Sequence, residues 1–110
     1  MGLEFTGRPD RTGAAVYFIS DGSSQSMQEL QQIATIVDQS LPDEAQVIVL
    51  DGQVAEGAEV VDFYDLSTLP TVLIVMDDDQ IYHAWSMQLP SAEDVLYMMG
   101  QAGVRLRGDQ

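Results

Sequence analysis

Three hydroxyls, on Ser23, Ser24 and Ser26, stand where an apolar run, Ala14 to Ser20, gives way to an amphipathic stretch. A serine attacks only when a neighbouring base takes its proton, and histidine is the side chain best suited to that at neutral pH. His83 is the only histidine, and none of the serines lies in the Gly-x-Ser-x-Gly turn that would raise a nucleophile above a sheet. A Ser-His-Asp hydrolase therefore has little support, and His83 reads as a strand-face residue near Trp85. Asp77-Asp78-Asp79 offers oxygens to a hard cation but lacks the spaced acids and terminal glutamate of a calcium loop, so it reads as a solvated hairpin turn. The chain has no cysteine, which excludes disulfides and thiolate metal sites. No metal and no cofactor is expected.

The surrounding pattern says what holds these groups. Ala14 to Ser20 is a nearly continuous apolar run, the signature of a strand buried on both faces, and Asp21-Gly22 breaks it. From about Ser24 to Gln39 the residues Met27, Leu30, Ile33, Ala34 and Val37 recur at helical spacing. Ser23 or Ser24 can cap that helix, while Ser26 with Glu29 fits a capping box that would start it later. Gln46 to Leu50 is a second buried strand, closed by Asp51-Gly52. Val54, Ala58, Val61 and Tyr64 mark a short helix, and Ser67-Thr68-Leu69-Pro70 a turn before a third strand, Thr71 to Met76. Ile81 to Ser86 alternates as a hairpin partner with Ile81, His83 and Trp85 on one side. Ser91 caps a last helix whose buried stripe is Ala92, Val95, Leu96, Met99 and Ala102, and Gly103 stops it. Met87 and Met98 fit no stripe cleanly; exposed, they would offer a soft surface to an apolar partner.

The predicted order is strand, helix, strand, helix, strand, strand, helix. The fold class is α/β, with a mixed four-stranded sheet flanked by helices on both faces. Two helical crossovers imply that the first three strands are parallel, and the short aspartate turn makes the fourth antiparallel. Residues 1–13 read as an N-terminal arm, 14–103 as one domain and 104–110 as a C-terminal tail, since 110 residues give a single core.

Eighteen acids against four arginines and no lysine give a formal net charge of -14. Such a field repels phosphate backbones and anionic membranes and favours basic partners. The same excess resembles proteins of salt-accumulating microbes, a halophilic archaeal origin being one expectation, with a small acidic mesophilic domain as the other. No apolar stretch reaches the roughly 18 to 20 residues of a membrane span, and the start lacks the basic-then-apolar order of a secretory signal, so the expected location is cytoplasmic.

The element order, with Ser23 and Ser26 after the first core strand and Leu69-Pro70-Thr71 before the third, resembles the thioredoxin superfamily over residues 14–103. The resemblance places Ser23 and Ser26 at the two positions of the Cys-x-x-Cys pair and Pro70 at the cis-proline position. It departs from thioredoxins proper at Gly22, where they carry tryptophan, and at Tyr17, where they carry a buried acid. A thiol at a helix N-terminus becomes a nucleophilic thiolate, whereas a serine hydroxyl stays protonated and exchanges no disulfide. The resemblance thus implies a redox-inactive module that holds an extended protein or peptide segment through Gly22, Ser24, Gln25, Met27, Thr68, Leu69 and Pro70, as a monomer or weak homodimer. The alternative is a thiol-disulfide oxidoreductase whose cysteines at positions 23 and 26 have been replaced by serine; a subunit of a larger assembly is a third reading.

Overall fold

A computed structural model describes residues 14–42, 45–86 and 88–106. The first strand, β1 (Ala15–Ser20), is buried along its whole length and sits inside the sheet. It is followed by helix α1 (Ser24–Ser40), strand β2 (Gln46–Asp51), helix α2 (Ala55–Phe63), strands β3 (Thr71–Val75) and β4 (Ile81–Ser86), and helix α3 (Ala92–Gln101). Each element type agrees with the periodicity of its residues. The sheet order is β2-β1-β3-β4.

Because side chains alternate across a strand, β1 feeds two cores at once. Val16 and Phe18 pack with Leu30, Ala34 and Val37 of α1, Val72 and Ile74 of β3, and Val95 and Met99 of α3. Ala15, Tyr17 and Ile19 face the other way, with Leu73, Val75 and Val60 of α2. Helices therefore cover both faces, α1 and α3 on one and α2 on the other.

One expectation of strand direction fails. β1 and β2 are parallel, but β3 runs antiparallel to β1, pairing Ile19 with Thr71 and Ala15 with Val75. The reason lies in the second connection. α2 spans nine residues, about 14 Å of rise, and carries the chain down the sheet until Tyr64 meets Tyr17, with ring centroids 5.9 Å apart. The next few residues return, so that Leu69 lies against Gly52 at the end where β2 stopped. β3 then starts at that same end and must run the opposite way.

Two faces also differ from the sequence pattern. In α2 the buried positions are Gly57 and Val60, while Val54 and Ala58 are exposed. The helix is pressed so tightly on the end of β2 that a Cβ at position 57 would collide with the Asp51 carbonyl, and glycine carries no apolar signal. In β4 the register slips between Ile74 and Val75, so that Ile74 faces His83 but Val75 faces Ile81. This bulge moves Ile81 to the α2 face, away from His83 and Trp85. It leaves Ile81 42% exposed.

α3 is as the sequence reads it: Ser91 Oγ accepts from Asp94 N while the Asp94 carboxylate accepts from Ser91 N. Met98 is partly buried against the α1/α3 core, so it offers no exposed soft surface; Met87 lies outside the described residues. Val104 and Leu106 pack on the same core, which extends the fold past residue 103. No helix among the described residues is long and apolar enough to cross a membrane.

Candidate functional site

Pairing across the sheet decides which residues meet. Ile19 of β1 is opposite Thr71 of β3, and Thr71 is opposite Ser86 of β4. The chain after β1, the loop before β3 and the end of β4 therefore share one sheet end. So does the end of β2, whose Gly52 N donates to Ser20 O at 3.0 Å. Gly22, Ser23, Ser24, Gln25, Ser26 and Met27 come to this end on the tip of α1, and Thr68, Leu69 and Pro70 come to it on the β3 approach. The Leu69–Pro70 peptide bond is cis.

The helix tip is built by local hydrogen bonds. Ser23 is the N-cap, its Oγ accepting from Ser26 N at 3.1 Å, which settles the choice among Ser23, Ser24 and the later capping box. Asp21 Oδ1 accepts from Ser23 N at 2.9 Å, Ser20 Oγ from Gly22 N at 3.2 Å and Ser26 Oγ from Asp21 N at 3.4 Å. Gly22 turns the chain with a φ of +94°. The hydrogen bond from the Ser23 amide, together with weaker ones from the serine hydroxyls, holds the exposed Asp21 carboxyl below the ordinary aspartate range. Ser23 is exposed and Ser26 is buried.

The other wall is less complete. Thr71 Oγ1 donates to Thr68 O at 2.6 Å and closes the turn. The Leu69 side chain turns inward onto the α2 core. The amides of Thr68 and Leu69 have no hydrogen-bond partner among the described residues, although both residues are half-buried. Beyond Thr71 the wall continues into a shallow groove of about 380 Å³ lined by Ala84, Trp85, Ser86, Leu89, Pro90 and Asp94. The Trp85 ring is braced edge-on by His83, with centroids 4.5 Å apart. A slightly larger hollow, about 410 Å³, lies at the opposite end between Ala14, Met76, Asp77 and Arg105 and touches none of these residues.

The site residues singled out in the sequence thus come to one sheet end, and Asp21, Asp51, Gly52 and the Ser86–Asp94 groove, which were not singled out, come to it as well. A signal for the first three was present. Two Asp-Gly pairs, Asp21-Gly22 and Asp51-Gly52, each end an apolar strand, and on adjacent parallel strands two such ends must lie side by side.

Chemically, the tip is held by hydrogen bonds among Ser20, Asp21, Gly22, Ser23 and Ser26. No thiol is present, no group of three or more metal-ligating side chains occurs among the described residues, and neither Ser23 nor Ser26 has a hydrogen bond to a histidine that would serve as a base.

No family model matches the sequence, and no curated protein matches it. Solved structures do match the fold. They include thioredoxin O2 from Arabidopsis thaliana in its oxidized state, with a TM-score of 0.61 at 8% identity over 82% of this chain and 75% of that one. StoA from Bacillus subtilis gives 0.62 at 12% identity, covering 83% and 85%, and chloroplastic thioredoxin z gives 0.55 at 18%, covering 88% and 84%. With strand order β2-β1-β3-β4, helices on both faces and a helix tip facing a Leu69–Pro70 turn at one sheet end, this cysteine-free chain has the thioredoxin-like fold.

Proposed function

We propose that the protein is a redox-inactive binding module that holds an extended segment of a protein partner between the tip of α1 and the Thr68–Pro70 turn. The observation that carries this reading is the pair of unpartnered amides on Thr68 and Leu69, half-buried beside a helix tip whose own loop amides are satisfied. A backbone donor that has no partner within the fold can bond to another chain, and an extended chain laid alongside supplies carbonyls at strand spacing. Ser23 and Ser26, at the positions of the family's cysteines, shape the tip and exchange no electrons. A cytoplasmic location goes with this reading and is checked by cell fractionation.

The test is an amide-resolved NMR titration of the full chain with carboxymethylated lysozyme, a permanently unfolded polypeptide. Shifts concentrated at Gly22, Gln25, Thr68 and Leu69 are expected. Shifts confined to other faces, or none, would refute the reading.

A second reading has one observation in its favour: the exposed Ser23 and buried Ser26 have the asymmetry of an attacking and a resolving thiol. It makes the chain a serine form of a thiol-disulfide oxidoreductase. Rapid insulin reduction by the Ser23→Cys, Ser26→Cys double variant would favour it over the binding module.

A further inference from the structure

We infer that the segment held at this site is cationic, an extended stretch bearing arginine or lysine side chains, one of which enters the Trp85–Asp94 groove. This deepens the binding-module reading and rests on it. The distribution of charge is the first argument. Of eighteen acids, all but Glu4, Asp10 and Asp109 fall between residues 14 and 104, and within those bounds there is no lysine or arginine. The sequence between these bounds thus carries a large excess of carboxylates, so an approaching partner meets a net negative potential.

The site adds geometry to that field. Asp21 lies at the helix tip, Asp51 stands beside Gly22 and Asp94 lines the groove beyond Thr71, so carboxylates stand on both sides of the site. Asp21 and Asp51 each use one oxygen, Oδ1, to accept the amide two residues on, at 2.9 and 2.8 Å. A carboxylate has further lone pairs on its second oxygen, so both side chains are fixed in place and can still accept from a guanidinium or ammonium group. The groove supplies the complementary apolar surface. Trp85, the only tryptophan of the chain, shares it with Asp94, and an indole with a carboxylate nearby is a setting that favours a guanidinium through cation–π and charge-assisted contacts. Ser86, at its mouth, pairs with Thr71. A segment paired with the Leu69 amide would therefore bring a side chain into the groove one or two residues along.

The probe is the blocked peptide acetyl-Thr-Arg-Val-Arg-Thr-amide, titrated against the full chain and followed by Trp85 fluorescence and by amide shifts. Its partner probe has citrulline, neutral and of the same shape, in place of both arginines. The arginine peptide is expected to shift the Thr68, Leu69 and Ser86 amides and to bind at least tenfold more tightly than the citrulline peptide. The Asp21→Asn, Asp51→Asn double variant keeps the turn acceptors and should weaken binding about tenfold, roughly threefold per charge. Asp77→Asn with Asp78→Asn, at the far end of the sheet, should weaken it less than twofold.

Equal affinity of the two peptides at the same amides would overturn the cationic partner and leave the binding module standing. Equal weakening by the two double variants would overturn it as well, because it would reduce the effect to net charge. Self-association of the protein that the peptide competes away would assign the groove to the chain's own arginine-bearing ends and refute a separate partner. If neither peptide moves the Thr68, Leu69 and Ser86 amides, the cationic partner falls, and the lysozyme titration decides the binding module separately.

Discussion

Gly52 is where the two walls of the site are joined, and replacing it with alanine tests the packing between them. A Cβ at that position would stand 2.5 Å from Leu69 Cδ1, 2.9 Å from Ser20 O and 3.2 Å from Ile19 Cγ2. The first neighbour is the end of a flexible side chain and can yield. The second is a backbone carbonyl that already accepts the Gly52 amide at 3.0 Å, and it cannot move without disturbing the end of β1. Overpacking of this kind costs about 1–3 kcal/mol, whereas Gly→Ala at a position with room stabilises by about 0.4–1 kcal/mol through the unfolded chain. The steric cost wins. A net loss of about 1–2 kcal/mol is expected, which for a domain of this size lowers Tm by about 5–15 °C. Thermal unfolding followed by circular dichroism measures it. Leu69→Ala removes the first clash and leaves the second, so Gly52→Ala should cost less in that background than alone, a positive coupling in a double-mutant cycle. A Gly52→Ala protein as stable as the parent, or more stable, would show that position 52 has room and that Leu69 is not held against it. The placement of the Thr68–Pro70 wall would then be wrong.

Ser23→Ala removes the N-cap acceptor of α1 and should destabilise by about 1 kcal/mol, with Ser23→Asp close to the parent, as denaturant unfolding would show. The Asp21 carboxyl is more acidic in the folded protein than in the unfolded chain. Its contribution to stability is therefore complete above the ordinary aspartate range and lost as pH falls through the lower folded value; carbon-detected NMR titration should find its midpoint lower in the folded protein than in the unfolded chain. Fifteen carboxylates without a lysine or arginine between residues 14 and 104 repel one another, and salt screens exposed charges within about 10 Å at 0.1 M and 3 Å at 1 M. Tm should therefore rise by several degrees from low salt to 1 M NaCl, and a flat profile would refute the importance of self-repulsion. In the Ser23→Cys, Ser26→Cys variant, the ionised Asp21 opposes the helix N-terminus. The first thiol should then titrate near the ordinary value of about 8.5, and adding Asp21→Asn should lower it by roughly half a pK unit; thiolate absorbance against pH reads both.

Elements whose burial is continuous or strictly periodic were legible in the sequence. β1 is apolar at nearly every position because both its faces are buried, and α3 announces itself through Ser91 and a stripe at three and four. What could not be read are the features set by how elements meet. The buried face of α2 is centred on Gly57, a residue chosen for closeness to Asp51 rather than for hydrophobicity. The side of the sheet that Ile81 occupies depends on a bulge opposite Ile74 and Val75, and no residue in that stretch signals it. The direction of β3 depends on which end of the sheet the chain from Tyr64 to Leu69 reaches, and a helix between two strands suggests a crossover until that return segment is seen. The site shares this limit: Ser23, Ser26 and Pro70 are found by position along the chain, whereas Asp51 and Ser86 join it only through strand pairing.

The same geometry separates what a cysteine pair would have contributed from what the scaffold keeps. The amide of Ser26 donates to the side-chain oxygen at position 23 at 3.1 Å, and the amide of Ser23 donates to Asp21 at 2.9 Å. Every donor in this small network thus serves the turn itself, and an anion at the tip would have to face the Asp21 carboxylate. The opposite wall keeps its Thr68 and Leu69 donors uncommitted. On the proposed reading the β3 approach and the Trp85 groove receive the partner, while the α1 tip supplies negative charge and a rigid edge. Such an arrangement disfavours anionic chemistry at position 23 and favours a positively charged chain laid across the sheet end.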